Sequence, residues 1–180
     1  MGRDKMSLRI GGKTLVERVA AVLRDRCDEV IVSGGEQSPP GVRAVRDDRP
    51  GLGPLAGMEA GLAAARFPLV FVAAGDMPFL RAELVDRLVA ILRDRAVLAV
   101  VPHDGKRVHP LCAAYSRGVL PRLRADLDGG LRAAREFVRN LDDTVYVSAE
   151  ELASLGDTDR LLMNINSPED LRRARDLAGA

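Results

Sequence analysis

The 180-residue chain is short of the residues that several function classes require. It has two cysteines, Cys27 and Cys112. Two are too few for a disulfide scaffold and lack zinc-ligand spacing, so both are expected reduced and buried, in a cytoplasmic protein. It has two histidines, and nothing suggests a Ser-His-Asp or Cys-His nucleophile. Its longest apolar stretches, such as Leu69 to Ala74, have the length of a strand. Crossing a bilayer takes roughly 20 apolar residues, so no membrane role is expected. Charge of one sign is not in excess either: 27 Lys+Arg against 26 Asp+Glu leave a formal net charge of +1. That balance rules out a strongly basic nucleic-acid coat protein and an acidic disordered tail. The opening Met1-Gly2-Arg3-Asp4-Lys5 leads into a mixed segment with no apolar core, so no signal peptide is expected. Linkers, repeats and low-complexity tracts are not discernible.

What is present reads as globular. Hydrophobic residues make up 47% and charged residues 29%. Residues 1–180 suit a single domain that buries roughly 70% of its unfolded surface. Helical spacing runs over Leu15 to Leu23, Leu55 to Ala65, Ala82 to Leu92, Val119 to Leu127 and Leu131 to Val138. Strand-like pieces lie at Val30 to Val32, Val42 to Val45, Leu69 to Ala74, Val97 to Val101, Val108 to Tyr115 and Thr144 to Val147. The continuous apolarity of Leu69 to Ala74 implies burial on both faces, in the centre of a parallel sheet. Ser167-Pro168-Glu169-Asp170 supplies an N-cap, a proline at the first helical position and an acidic first turn for a last helix. Alternation of strand and helix predicts a three-layer α/β fold with a mostly parallel sheet.

Ligands of such sheets bind where the strands end at their carboxyl side. Ser33-Gly34-Gly35, Asp47-Asp48 and Gly75-Asp76-Met77-Pro78 follow three successive strands. Asp76 follows the most apolar run, and Pro78 stops that strand. Its carboxylate suits a hard cation such as Mg²⁺, or else it caps the helix beginning near Arg81. Lys5, beside Gly2, suits a phosphate clamp or a solvated surface position. Gly12-Lys13-Thr14 imitates the end of a P-loop, but Ser7 stands where the first glycine is needed and no buried strand precedes it. An ordinary helix start is expected there.

Gly51 and the run Gly53 to Gly57 allow close approach of a ligand, or a turn with close helix packing. Asp47 and Asp48 suit a nucleotide sugar or base, or solvent. Asn164 and Asn166 share one side of an extended segment, as ligands of a metal or of phosphate-bound water, or as turn formers. His109 suits a substrate phosphate or a packed structural role.

Five runs in order carry a resemblance: Met-Gly-Arg-Asp-Lys, Gly-Pro-Leu-Ala-Gly-Met, Gly-Asp-Met-Pro-Phe-Leu, His-Pro-Leu-Cys-Ala-Ala-Tyr and Asn-Ile-Asn-Ser-Pro-Glu-Asp-Leu. Together the chain resembles the molybdenum cofactor guanylyltransferase family over almost its whole length. The resemblance implies a nucleotide-binding α/β fold of the nucleotide-diphospho-sugar transferase type. It implies transfer of GMP from GTP to molybdopterin with release of pyrophosphate, using Mg²⁺. GTP and molybdopterin are the implied partners, with other molybdenum-cofactor enzymes beside them.

Residue by residue, Lys5 matches the lysine on the GTP phosphates and Asp76 the Mg²⁺ ligand. Asp47, with Asp48 as the alternative, matches the nucleotide-contacting aspartate. Asn164 and Asn166 match the paired asparagines. Ser33 stands where many members carry Asn as a guanosine-side contact, which is a departure. A strand and a loop of the form Leu-Ala-Gly-Gly-x-Ser-x-Arg usually precede the first motif in the family and are not found here: either the start codon was assigned late or the chain is a shortened relative, and the 180 residues as written are expected to be poorly stable and nearly inactive. A cytidylyltransferase for molybdopterin, a sugar-nucleotide pyrophosphorylase and a non-catalytic cofactor-binding relative are the alternatives.

Overall fold

The computed structural model describes residues 8–34 and 38–179. The chain opens with a two-residue hairpin, β1 (Arg9–Ile10) and β2 (Lys13–Thr14), antiparallel to each other. Gly11 and Gly12 between them both take positive φ, 57° and 80°, as a tight hairpin turn requires. Helix α1 (Leu15–Arg24) follows at once, with Thr14 and Glu17 forming a capping box. The Gly12-Lys13-Thr14 segment is thus a hairpin end and a helix cap, as its failure to match a P-loop implied.

Two short strands come next, β3 (Ile31–Ser33) and β4 (Arg43–Val45), parallel to each other. Helix α2 (Pro54–Ala64) starts from Gly53, at φ 80° and ψ −167°, with proline in its first turn. Strand β5 (Leu69–Ala73), helix α3 (Ala82–Arg95) and strand β6 (Ala99–His103) complete the middle of the chain. Strand β7 (Cys112–Ser116) leads through a turn of 3-10 helix into α4 (Leu120–Asp128) and α5 (Ala134–Arg139). Strand β8 (Thr144–Ser148) is followed by the single-turn helices α6 (Ala149–Leu152) and α7 (Thr158–Leu161), then α8 (Pro168–Gly179). Among the described residues no helix is long and apolar enough to cross a membrane.

The larger sheet has the order β5-β7-β6-β8. Strand β7 runs antiparallel to β5 and β6, and β6 is parallel to β8. Three of the four strands therefore point the same way, in the α/β fold expected. Period-two alternation divides the side chains between two apolar layers. Val100, Cys112 and Ala114 face α3, with Leu84, Leu88 and Leu92. Ala99, Val101, Ala113 and Tyr115 face α2, α4 and α5, with Leu55, Leu123 and Phe137. A third cluster, Ile10, Leu15, Met163, Ile165 and Ala174, ties the opening hairpin to the end of the chain.

Three expectations need correction. Strand β5 sends Leu69, Phe71 and Ala73 to one layer and Val70 and Val72 to the other, yet every one of its residues is only half-buried. Among the described residues β5 pairs only with β7, and its residues and those of β3 line a cavity of about 780 Å³. Only the second half of Val108 to Tyr115 is strand. Pro110 has no N–H to give a ladder, and Asp104 turns the preceding segment by accepting the Lys106 and Arg107 amides, both at 2.8 Å. The helix expected from Leu131 starts at Ala134, after the left-handed Gly130 at φ 93°.

Candidate functional site

Two distant segments meet at the carboxyl end of β5. The strand delivers Asp76 into the turn before α3, and Met77 behind it is 1% exposed and anchors that turn. From the other end of the chain, Asn164 reaches the same place and donates from Nδ2 to Asp76 Oδ1 at 2.9 Å. The Ile165 amide donates to the Asp76 carbonyl at 3.0 Å. Alternation explains the tail: Ile165 is fully buried in the third cluster, so Asn164 and Asn166 turn the other way and line one cavity. Ser167 and Asp170 then cap α8 reciprocally, and Asp170 Oδ2 also accepts the Asn166 amide at 2.9 Å.

That cavity, of about 340 Å³, is also walled by Arg107, His109 and Arg135. His109 is 7% exposed, and its Nε2 lies 2.9 Å from Asp104 Oδ2. Burial pushes the imidazole below its ordinary pKa, and the Asp104 carboxylate opposes this without reversing it. Burial alone would raise the Asp104 carboxyl, but the Arg107 amide, the His109 ring and the Lys106 amide hold it well below the usual carboxylate range. Asp104 therefore stays ionised, and the ring beside it is neutral near pH 7.

Residues 1–145 match the family of MobA-like NTP transferase domains. A "probable molybdenum cofactor guanylyltransferase" of Pelotomaculum thermopropionicum is 37% identical over 184 residues, covering 99% of this chain and 87% of that protein. The chain belongs to the molybdenum cofactor guanylyltransferase family. Among solved structures, the molybdopterin-guanine dinucleotide biosynthesis protein A of Archaeoglobus fulgidus superposes with a TM-score of 0.83 at 26% identity, over 99% of this chain and 92% of that one. The 2-C-methyl-D-erythritol 4-phosphate cytidylyltransferase of Thermus thermophilus does so with a TM-score of 0.75 at 25% identity, over 98% and 94%.

Members of this family are nucleotidyltransferases, and the residues expected to serve that chemistry sit in different settings. Asp76 and Asn164 are in direct contact, and Asn166 lies beside them on the cavity wall. Asp76 does not cap α3, whose N-cap is Arg81 without a side-chain bond. Ser33 lines the larger cavity along with Asp76, and its hydroxyl faces α2, where a Cβ on Gly57 would meet Oγ at 3.3 Å. Asp47 accepts the Arg49 amide at 2.8 Å and shapes its own loop; neither it nor the exposed Asp48 lines either cavity. Lys5 lies outside the described residues.

A divalent cation fits the donor set in one way. Among the described residues no three His, Cys, Asp or Glu side chains cluster as a protein-only cage. Mg²⁺ does not need one, since it binds commonly through one or two carboxylates together with substrate phosphates and water. Asp76 supplies one such carboxylate, held in place from both its side chain and its backbone.

Sequence reasoning missed Asp104, Arg107 and Arg135 around His109. Asp104-Gly105 was the available signal, because that pair marks a turn that folds the following residues back.

Both cysteines are free; Cys112 is buried, whereas Cys27, expected buried, is only half-buried. Burial pushes the Cys112 thiol up to about 12, which makes it inert at neutral pH.

Proposed function

We propose that this chain, working as a single domain, transfers GMP from GTP to molybdopterin and releases pyrophosphate. The observation that carries the reading is the Asp76–Asn164 contact, which joins a strand end to the chain's tail at the place where α/β sheets bind ligands. Attack of one phosphate on another brings two anions together, so the protein's task is to neutralise charge and fix the approach rather than to supply a nucleophile. Asp76 would hold Mg²⁺, which when bound polarises the phosphoryl oxygens and offsets their charge. Asn164 orients that carboxylate. Asn166 contributes a second amide at the same wall, and Lys5 neutralises charge on the departing pyrophosphate. Asp47 and Ser33 serve the nucleoside side of GTP. The same reading makes the protein cytoplasmic and brings it into contact with other molybdenum-cofactor enzymes.

Nucleotide choice tests the proposal. GMP, CMP and AMP transfer to molybdopterin is measured with GTP, CTP and ATP in turn, with Mg²⁺ present. A site that hydrogen-bonds a base rejects bases lacking matching groups by large factors, so GTP is expected to lead by at least about a hundred-fold in kcat/KM. Equal rates with all three would overturn the guanine assignment, and a lead for CTP would make the chain a cytidylyltransferase. Nucleotide binding without any pyrophosphate release would make it a non-catalytic relative.

A further inference from the structure

Helix α2 carries a charge where its packing calls for none. Glu59 is the only charged residue in Pro54–Ala64; it is 7% exposed, and its neighbours Met58 and Ala60 are buried apolar groups. A buried carboxylate in an ion pair often stabilises a fold no more than an apolar side chain of similar volume. What Glu59 holds is therefore more telling than its contribution to stability. One oxygen, Oε1, accepts from Arg124 Nε of α4 at 2.8 Å. The other, Oε2, lies 3.7 Å from Arg49 Nε. Arg49 is held a second time, by Nη1 donating to Asp128 Oδ1 at 2.6 Å. Arg124 and Asp128 stand one helical turn apart on α4, so they share a face. Arg124, Glu59, Arg49 and Asp128 thus alternate in sign along one chain of contacts.

Three of these residues sit on helices. Arg49 does not: it belongs to the loop 46–53 between β4 and α2. That loop starts level with Ser33, because Ser33 pairs with Val45 in the β3–β4 register, and Ser33 lines the larger cavity. It ends at Pro54, which lines both cavities. Within the loop the Arg49 amide donates to Asp47 Oδ1 at 2.8 Å, and the Leu52 amide to the Arg49 carbonyl at 3.3 Å. Arg46, Asp48 and Pro50 are exposed, so packing does little to fix this stretch. The side chain of Arg49 is fastened to two helices, while its backbone amide carries the Asp47 carboxylate. A displacement of Arg49 therefore becomes a displacement of Asp47.

We infer that Arg49, anchored by Glu59 and Asp128, is a positioning residue that fixes where the Asp47 carboxylate meets the nucleotide. The inference rests on the proposed function for the contact between Asp47 and GTP. Arg49 acts through Asp47: its guanidinium is held from two sides and is not spent on substrate. Arg124 has a different part. It offsets the buried charge of Glu59 and makes no hydrogen bond or ion pair to the loop among the described residues.

Four variants separate positioning from stability: Arg49→Met, Arg124→Met, Asp47→Ala and the pair Asp47→Ala with Arg49→Met. For each, calorimetry reads GTP affinity with Mg²⁺ present, steady-state transfer reads kcat and KM, and amide hydrogen exchange reads residues 46–53. Arg49→Met is expected to speed exchange in the loop about ten-fold and to weaken GTP about ten-fold, through KM, with kcat within two-fold of the wild type. Arg124→Met is expected to lower the melting temperature and to leave GTP affinity within two-fold. The pair is expected to bind GTP no more weakly than Asp47→Ala alone, because both substitutions remove the same contact. Loop exchange at the wild-type rate in Arg49→Met overturns the inference, as does faster exchange with GTP affinity unchanged. A pair whose separate losses multiply overturns it too, and so does an equal loss of GTP affinity in Arg124→Met. Each of these outcomes leaves GMP transfer by the wild type, and so the proposed function, standing. A wild type whose GTP affinity depends on Arg49 through Asp47 but that transfers no GMP keeps the inference and refutes the proposed function instead.

Discussion

Replacing Asp76 by Asn separates charge from shape at the centre of the site. The substitution keeps the size of the side chain and an oxygen that accepts from Asn164 Nδ2, a bond that measures 2.9 Å in the native protein. The backbone bond from the Ile165 amide is untouched. What changes is one negative charge. A hydrogen bond to a charged group contributes about 1.5–3 kcal/mol net and a neutral one about 0.5–1.5, so stability should fall by about 1 kcal/mol. For a chain of this size that is about 2–4 °C in Tm. Half-burial of Asp76 makes the lower end the expected one, because water offsets part of the loss. The effect on catalysis is expected to be much larger. Loss of a metal ligand that stabilises phosphoryl charge by about 4 kcal/mol lowers the rate about a thousand-fold. Single-turnover release of pyrophosphate, measured across a Mg²⁺ titration, reads the rate, and thermal melting reads the fold. A variant that melts within a few degrees of the wild type, turns over within a few-fold of it and keeps its Mg²⁺ dependence would refute the role given to Asp76.

Two further outcomes follow from the packing. Gly61 lies inside α2, where a Cβ would meet Ser33 Oγ at an ordinary 4.0 Å, so Gly61→Ala should raise Tm by about 1–4 °C through about 0.5–1 kcal/mol of helix propensity and unfolded-state entropy. A lower Tm would mean that α2 packs on β3 more tightly than this spacing. Stability should also depend on pH through His109, whose pKa is lowered by burial against the opposing Asp104, with Arg107 and Arg135 adding to the lowering. A lowered histidine contributes its stability above the unfolded value of about 6.5 and loses it as pH falls through the folded one. Melting curves from pH 8 to pH 5 should therefore fall more steeply for wild type than for His109→Asn, and parallel curves would refute this.

The sequence by itself determined the elements whose cause is local. The continuous apolar run of Leu69 to Ala74 is enough to make β5, and Ser167-Pro168 with Asp170 is enough to start α8. Gly12-Lys13-Thr14 was separable from a P-loop by the residue at position 7 alone. The place of Asp76 just past a strand end was legible because Pro78 stops the most apolar run there. Tertiary structure decided the rest. Asn164 stands 88 positions from Asp76, and no local pattern states that they touch; burial of Ile165 in the third cluster is what turns Asn164 toward it. The direction of β7 was equally hidden, since strand pairing is a property of two distant segments at once. His109 shows the difference most plainly. Its residue type allowed a phosphate contact or a packed ring, and only the turn at Asp104, by bringing an ionised carboxylate to Nε2, decides which nitrogen holds the proton.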